Sequence, residues 1–344
     1  KTVIVPQSDA VAEINREVVN MLQTKDGSYF GIHPKDPKKF PWGLVASGIS
    51  AKAAVSPRLV FPEMDDSVGK ISYCCDNIKK SYDEMKEQKG VQLVFCELGV
   101  PTKGKEYDAY HDIINRLTKD YGIPREEIAY IQQVKKDTDK EALFQKVRDG
   151  KVRILIGGTQ NMGTGVNVQT RITDLHMLTV PWQPADLEQC IGRGSRQGNV
   201  VAHDFLNNKV RVHYYATEGS LDLYKYQLLD AKGKMFTQFK MGTISGERSF
   251  DEGDADENGN IDPAQMVALL SGNPIIFEKS KQDKLVKKLK SLYNGFLRDQ
   301  QRKRQNYETV TKKVDNLKRL ISLSDSDVHD LQREGFKPDE KGTY

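Results

Sequence analysis

Apolar and polar positions change their rhythm several times along the chain. Thr2 to Val5 reads as a short strand, and Ser8 through Leu22 has the spacing of a helix. The stretch DGSYFGIHPKDPKKFPWG then holds turn formers and little periodicity, so residues 1–65 are expected as a connector. From about 66 the chain alternates between strand and helix patterns. QLVFC (92–96) is apolar almost throughout, as a strand covered on both faces must be. Tyr110, Ile113, Ile114, Leu117 and Tyr121 fall at helical spacing, and IAYI (128–131) is a second short strand. Thr138 and Glu141 make a capping-box signature for a helix that stops at Gly150. Strands are expected again at VRILIG (152–157), LHMLTV (175–180) and VRVHYYA (210–216), with a helix around Asp186–Gly192. This alternation predicts an α/β domain, a parallel sheet with helices on both faces. Ligands bind such sheets at the carboxyl ends of the strands, so the loops after Ile156 and Val180 should carry the chemistry.

Beyond that sheet the pattern becomes helical. Leu221, Tyr224, Leu228, Met235 and Phe239 lie near one face, which predicts a helix docked on the lobe and a domain spanning 66–241. An acidic stretch, SFDEGDADENGNID (249–262), separates it from a tail in which Leu285, Leu289, Leu292 and Phe296 step by four and three. Tyr307, Val310, Val314, Leu317 and Ile321 do the same, while Asp299 and Lys303 interrupt the seam. Residues 242–344 are therefore expected as an acidic loop and a basic α-helical extension, a hairpin or an interrupted coiled coil.

Composition narrows the class. The chain has 344 residues, 38% of them apolar and 29% charged, and no apolar run near the ~20 residues of a membrane helix. Its start lacks a signal peptide and an initiator Met, as expected of a piece of a longer protein. Cys74, Cys75, Cys96 and Cys190 show no zinc spacing, and free thiols in a reducing cytoplasm are expected.

Two loops hold the candidate chemistry. In GGTQNMGTGVNVQ (157–169), Gly158 and Gly163 have the spacing of a phosphate loop, but Thr164 and Gly165 stand where Lys and Ser/Thr are required. The chain has no GK[ST] anywhere and no apolar strand running into an Asp-Glu pair, so hydrolysis of ATP by the chain alone is not expected. In PWQPADLEQCIGRGSRQGN (181–199), Gln189, Arg193 and Arg196 sit at i, i+4 and i+7, one face if the helix runs through all three. Two arginines aimed at one place make sense when a polyanion lies between them. The plain alternative is a pair of solvated surface arginines. Gly192, Gly194 and Gly198 weigh against a plain surface helix and point to close backbone approach to a ligand or partner.

QCIGRGSRQG resembles motif VI of superfamily 2 helicases, QxxGRxxRxG, and ILIGGTQNMGTGVNVQ resembles motif V of their chromatin-remodeller branch. VQLVFCEL (91–98) resembles motif IV. Together with ALLSGNPIIFEKSKQDK (268–284), the resemblance covers roughly residues 50–300 and is nearest to the methylase–helicase proteins of phages and mobile elements. It implies a second RecA-like motor lobe of an ATP-dependent DNA translocase or helicase. Arg193 and Arg196 would then be arginine fingers for ATP and Mg2+ held mainly on a first RecA-like lobe of the same full-length protein, with Gln189 positioning them. Gly163, Thr164 and Gly165 would form the nucleotide-sensing turn, and Thr159 would touch the nucleic-acid backbone, duplex DNA more than single strands.

Two patterns stand beside that reading. Asp254, Asp256, Asn258 and Gly259 fit the opening of an EF-hand loop, but Gln265 replaces the bidentate Glu and Pro263 falls close by, so an acidic surface loop is expected and no metal site. Residues Lys279 to Arg319 hold 14 Lys/Arg against 4 Asp/Glu, which fits either a solvated helical face or a phosphate-binding one led by Arg302, Lys303 and Arg304. The rival to a motor lobe is a non-catalytic nucleic-acid-binding or coiled-coil scaffold that retains the same fold.

Overall fold

The computed structural model describes all residues except 135, 160–161, 163–166, 182, 195, 227–228, 230–262, 272–273 and 344. Six strands form one sheet: β1 (Thr2–Val5), β2 (Val91–Phe95), β3 (Ile128–Tyr130), β4 (Ile154–Gly157), β5 (Ile172–Met177) and β6 (Arg211–Thr217). They lie in the order β1-β6-β5-β2-β4-β3, and every neighbouring pair is parallel. This is the α/β sheet that the RecA-like resemblance implies. β2 and β4 are buried along their whole length, which is why their sequences are unbroken apolar runs.

The helices named here are α1 (Asp9–Thr24), α2 (Trp42–Val55), α3 (Lys70–Glu84), α4 (Ala109–Lys119), α5 (Asp137–Arg148), α6 (Pro184–Gly194), α7 (Val200–Phe205), α8 (Pro263–Leu270) and α9 (Pro274–Arg333). α3 and α4 cover one sheet face, where Ile71, Ile78, Tyr110 and Ile113 meet Val94, Ile154 and Ile156. On the other face Phe144, Val147 and Cys190 pack against Leu93, Leu155 and Leu175. A third cluster joins α1 and α2 to Leu221, Tyr224, Met266 and Leu270. Residues 1–65, expected as a connector, thus supply an edge strand and two packed helices. The compact units are Lys1–Glu278 and Lys279–Tyr344.

Three local expectations are corrected. α5 starts at Asp137 with Lys136 as N-cap and no side-chain cap bond, so Thr138 is already inside the helix and the capping box does not form. β5 runs from Ile172 to Met177, earlier than the apolar run 175–180 predicts, because the buried Asp174 is held by ion pairs instead of being excluded. The helical extension is one 60-residue helix with no turn at Asp299 or Lys303. Leu228, Met235, Phe239 and the acidic stretch 249–262 with Asp254, Asp256, Asn258 and Gly259 lie outside the described residues.

Candidate active-site half

The carboxyl ends of β5, β2 and β4 lie side by side at the middle of the sheet. Three chain segments are tied together there. After β2, the Glu97 backbone N–H donates to Thr179 Oγ1 at 3.0 Å, beyond the end of β5. The Glu97 carboxylate accepts a hydrogen bond from the Thr159 backbone N–H, just past β4. A Cβ at Gly158 would lie 2.6 Å from Glu97 Oε2, so a larger residue there would push the Glu97 carboxylate aside. Thr159 Oγ1 in turn accepts from the Cys190 thiol of α6 at 3.5 Å. Burial raises the Cys190 thiol to about 11, so it stays a neutral donor.

α6 carries the candidate fingers. Gln189 is exposed on it, and Arg193 is only 7% exposed near its end. The helix stops at Gly194, so the exposed Arg196 stands beyond it and not on a shared helical face. A Cβ on Gly194 would meet Leu175 Cδ1 at 3.0 Å and Val210 Cγ1 at 3.1 Å, so this backbone presses on its own sheet. Gly198 takes a φ of +91°, and Gly192 faces open space. The close approach expected of these glycines is therefore to the fold itself at Gly194 and to no described atom at Gly192.

Arg193 and Arg196 still act on one another. Burial, then the Arg196 charge, lowers the pKa of the Arg193 guanidinium. Beside Arg196 a cleft of about 350 Å³ is lined by Gln197, Gly198, Asn199, His203, Asp204 and Asn208. Thr159 is 8% exposed with both its N–H and its hydroxyl engaged, so it anchors the loop here and does not stand open to solvent. Gly163, Thr164 and Gly165 lie outside the described residues. Arg302, Lys303 and Arg304 belong to α9, in the second compact unit, and are exposed. Glu97 and Thr179 were not among the expected site residues; their one signal is a polar residue at the carboxyl end of an apolar strand.

Among the described residues, Asp174, His176 and His213 alone cluster as metal ligands do, with ligand atoms within 4.8 Å of one another. Apart from His213 Nδ1, their polar atoms are already engaged. Asp174 takes His213 Nε2, Ser81 Oγ and the Arg211 guanidinium, and the His176 nitrogens face Tyr215 and Gln92. A guanidinium at the carboxylate repels a second cation, so the cluster is a buried polar ladder across β5 and β6. No described helix is long and apolar enough to cross a membrane.

Residues 69–198 match the family model described as helicase conserved C-terminal domain. Over 144 residues the chain is 31% identical to "Defense against restriction protein B" of Escherichia phage P1, covering 42% of this chain and 6% of that protein. The chain thus spans a small fraction of that relative's length. The C-terminal part of the Fun30 ATPase domain overlaps 82% of this chain and 97% of its own, at 14% identity and a TM-score of 0.44. The Sulfolobus solfataricus SWI2/SNF2 ATPase C-terminal domain overlaps 72% of this chain and 90% of its own, at 16% identity and a TM-score of 0.47.

Proposed function

We propose, from the match of residues 69–198 to the model described as helicase conserved C-terminal domain, that this chain is the second motor lobe of an ATP-dependent DNA translocase. The observation that carries the proposal is the pairing of Arg193 with Arg196, two guanidiniums near enough for one charge to depress the other. Such a pair gains from a polyanion set between its members. ATP with Mg2+ would sit on a first RecA-like lobe, which supplies the phosphate loop that this sequence does not contain. Closing of the two lobes on ATP would bring both arginines onto the transferring phosphate, and opening after hydrolysis would reset the motor, a two-state gate worked by one ligand. Glu97 joins the start of the motif V loop to the strand ends that precede α6. A role in a methylase-associated, mobile-element protein of the cytoplasm belongs to the same proposal.

The chain alone should hydrolyse ATP no faster than buffer, with or without DNA. A DNA-stimulated phosphate release that Arg193→Ala abolishes would overturn the division of labour between lobes. Joining the chain to a lobe that carries GK[ST] should create turnover.

The rival reading, a nucleic-acid-binding scaffold, draws on the basic face of α9. Arg302 and Arg304 are exposed there. Each phosphate neutralised contributes about −0.9 to the slope of log affinity against log salt. Arg302→Gln with Arg304→Gln should therefore flatten that slope for duplex DNA by up to about two. Anisotropy titrations at several salt concentrations measure it, and an unchanged slope removes α9 from the DNA contacts.

A further inference from the structure

Glu97 is an exposed side chain lying over a buried backbone. Gly158 and Thr159 are both buried, although they follow β4 at the carboxyl edge of the sheet, where such folds take their ligands. The Glu97 carboxylate covers them. It accepts the Thr159 N–H, and its Oε2 lies where a Cβ on Gly158 would come within 2.6 Å. Gly158 brings no side chain of its own to that point, so the cover is a single carboxylate. The Glu97 backbone is fixed independently of it. Its N–H donates to Thr179 Oγ1 at 3.0 Å, and the preceding Cys96 N–H donates to the Gly157 carbonyl at 3.0 Å. Only the side chain has to turn for the Thr159 N–H to be bared. Thr159 itself stays tied to α6, since its hydroxyl accepts from the Cys190 thiol.

We propose that Glu97 is an internal stand-in for a phosphate: its carboxylate holds the Thr159 N–H in the free chain, and the nucleic-acid backbone must displace it to bind there. The inference rests on the reading of Thr159 as a nucleic-acid contact and adds the regulation of that contact. A carboxylate and a phosphate offer a backbone N–H the same kind of acceptor, an anionic oxygen. The N–H has one proton to give, and two anions brought to it repel, so the two occupants exclude one another. A fixed clamp between two loops gains from burial, because a low dielectric strengthens its bond. Glu97 is left exposed instead, where water competes for the carboxylate and lets it go. A ligand that binds only the uncovered form has its affinity reduced by the uncovered fraction. A cover in place about 90% of the time therefore weakens binding about tenfold.

The test uses the full chain and duplex DNA, with binding followed by anisotropy at one fixed low salt concentration. Glu97→Gln should bind about tenfold tighter than the parent. It keeps the shape and a neutral acceptor for the Thr159 N–H, so the melting temperature should stay at the parental value. Glu106→Gln removes the same charge from an exposed residue of the same loop and should leave affinity near the parental one. The Thr159 amide reports the exchange directly. In a chain carrying isotope-labelled threonine, its resonance, assigned by Thr159→Ser, should move when duplex DNA is added and stay in place with inorganic phosphate at the same phosphate concentration. Equal tightening in Glu97→Gln and Glu106→Gln would reduce the effect to net charge and overturn the proposal. DNA binding that leaves the Thr159 amide unmoved, with Glu97→Gln no tighter than the parent, would make Glu97 a fixed clamp and sink the proposal alone. A shift with inorganic phosphate as large as with DNA would make this a site for free anions, which also overturns it. No binding of duplex DNA by the parent or either variant would sink the nucleic-acid reading itself, and the proposal with it.

Discussion

In a protein that joins this chain to an ATP-binding lobe, Arg193→Ala or Arg196→Ala should cut ATP turnover by about 10³-fold or more, the scale on which arginine fingers act. The loss belongs to the transition state. Charge spreads over the phosphoryl oxygens as the bond to the leaving group loosens, and a guanidinium set there stabilises it without reorganising. ATP binding should weaken far less, because most ground-state contacts would belong to the other lobe. The two residues should differ in their side effects. Arg193 is 7% exposed and sits on α6, so its alanine variant removes packing as well as charge, whereas Arg196 is exposed beyond the helix end. Arg193→Lys separates these causes, since it keeps the stem and the charge but loses the planar fork. Single-turnover rates with the melting temperature measured alongside decide the matter. Near-parental turnover in either alanine variant would show that this arginine is no finger.

What the sequence showed of this architecture follows from what hydrophobic spacing can register. β2 and β4 were visible because strands buried on both faces must be apolar at every position. α1 was visible because it buries one face, with Ser8 accepting from the Val11 N–H at its start. α2 was not, since GLVASGISAKAAV owes its burial to small residues spread around the helix and shows no single apolar stripe. The start of β5 was missed for another reason. Asp174 looks like a loop residue until Arg211, His213 and Ser81 are found around it, and those partners are invisible to local patterning. The same divide runs through the site. The spacing of Gln189 and Arg193 located α6, but Glu97 acts on a backbone N–H 62 residues away, which no motif spacing encodes.

Asp222→Ala should cost about 3–5 kcal/mol of stability, the usual penalty for stranding one member of a buried ion pair. Asp222 follows β6, in the helical stretch 221–226, and its carboxylate takes the ammonium of Lys70, the first residue of α3. The Lys70 side chain is fully buried and that of Asp222 is 7% exposed. Asp222 also accepts the Thr217 N–H at 3.3 Å, so the pair staples α3 to the chain leaving the sheet. Lys225 lies in the same interior at 6% exposure. Burial lowers its pKa from 10.5 to about 8, with the Lys70 charge adding to the shift and the Asp222 charge opposing it. The sign of the pH dependence follows. The unfolded chain holds the Lys225 proton up to its ordinary pKa and the folded chain releases it earlier, so between those values unfolding takes up a proton. This contribution to stability is complete above 10.5 and is lost as pH falls toward 8. Without Asp222 the opposing charge is gone and the window reaches lower. The variant should therefore be weakest near neutrality and recover part of its loss as pH is raised, more steeply than the parent. Lys70→Met combined with Asp222→Leu should recover most of the loss at neutral pH, because no charge of the pair is then left buried. Urea denaturation at neutral and alkaline pH measures all three chains. A loss below about 1 kcal/mol for Asp222→Ala, in the range of an exposed pair, would show that water reaches Lys70 and that the staple does not hold α3.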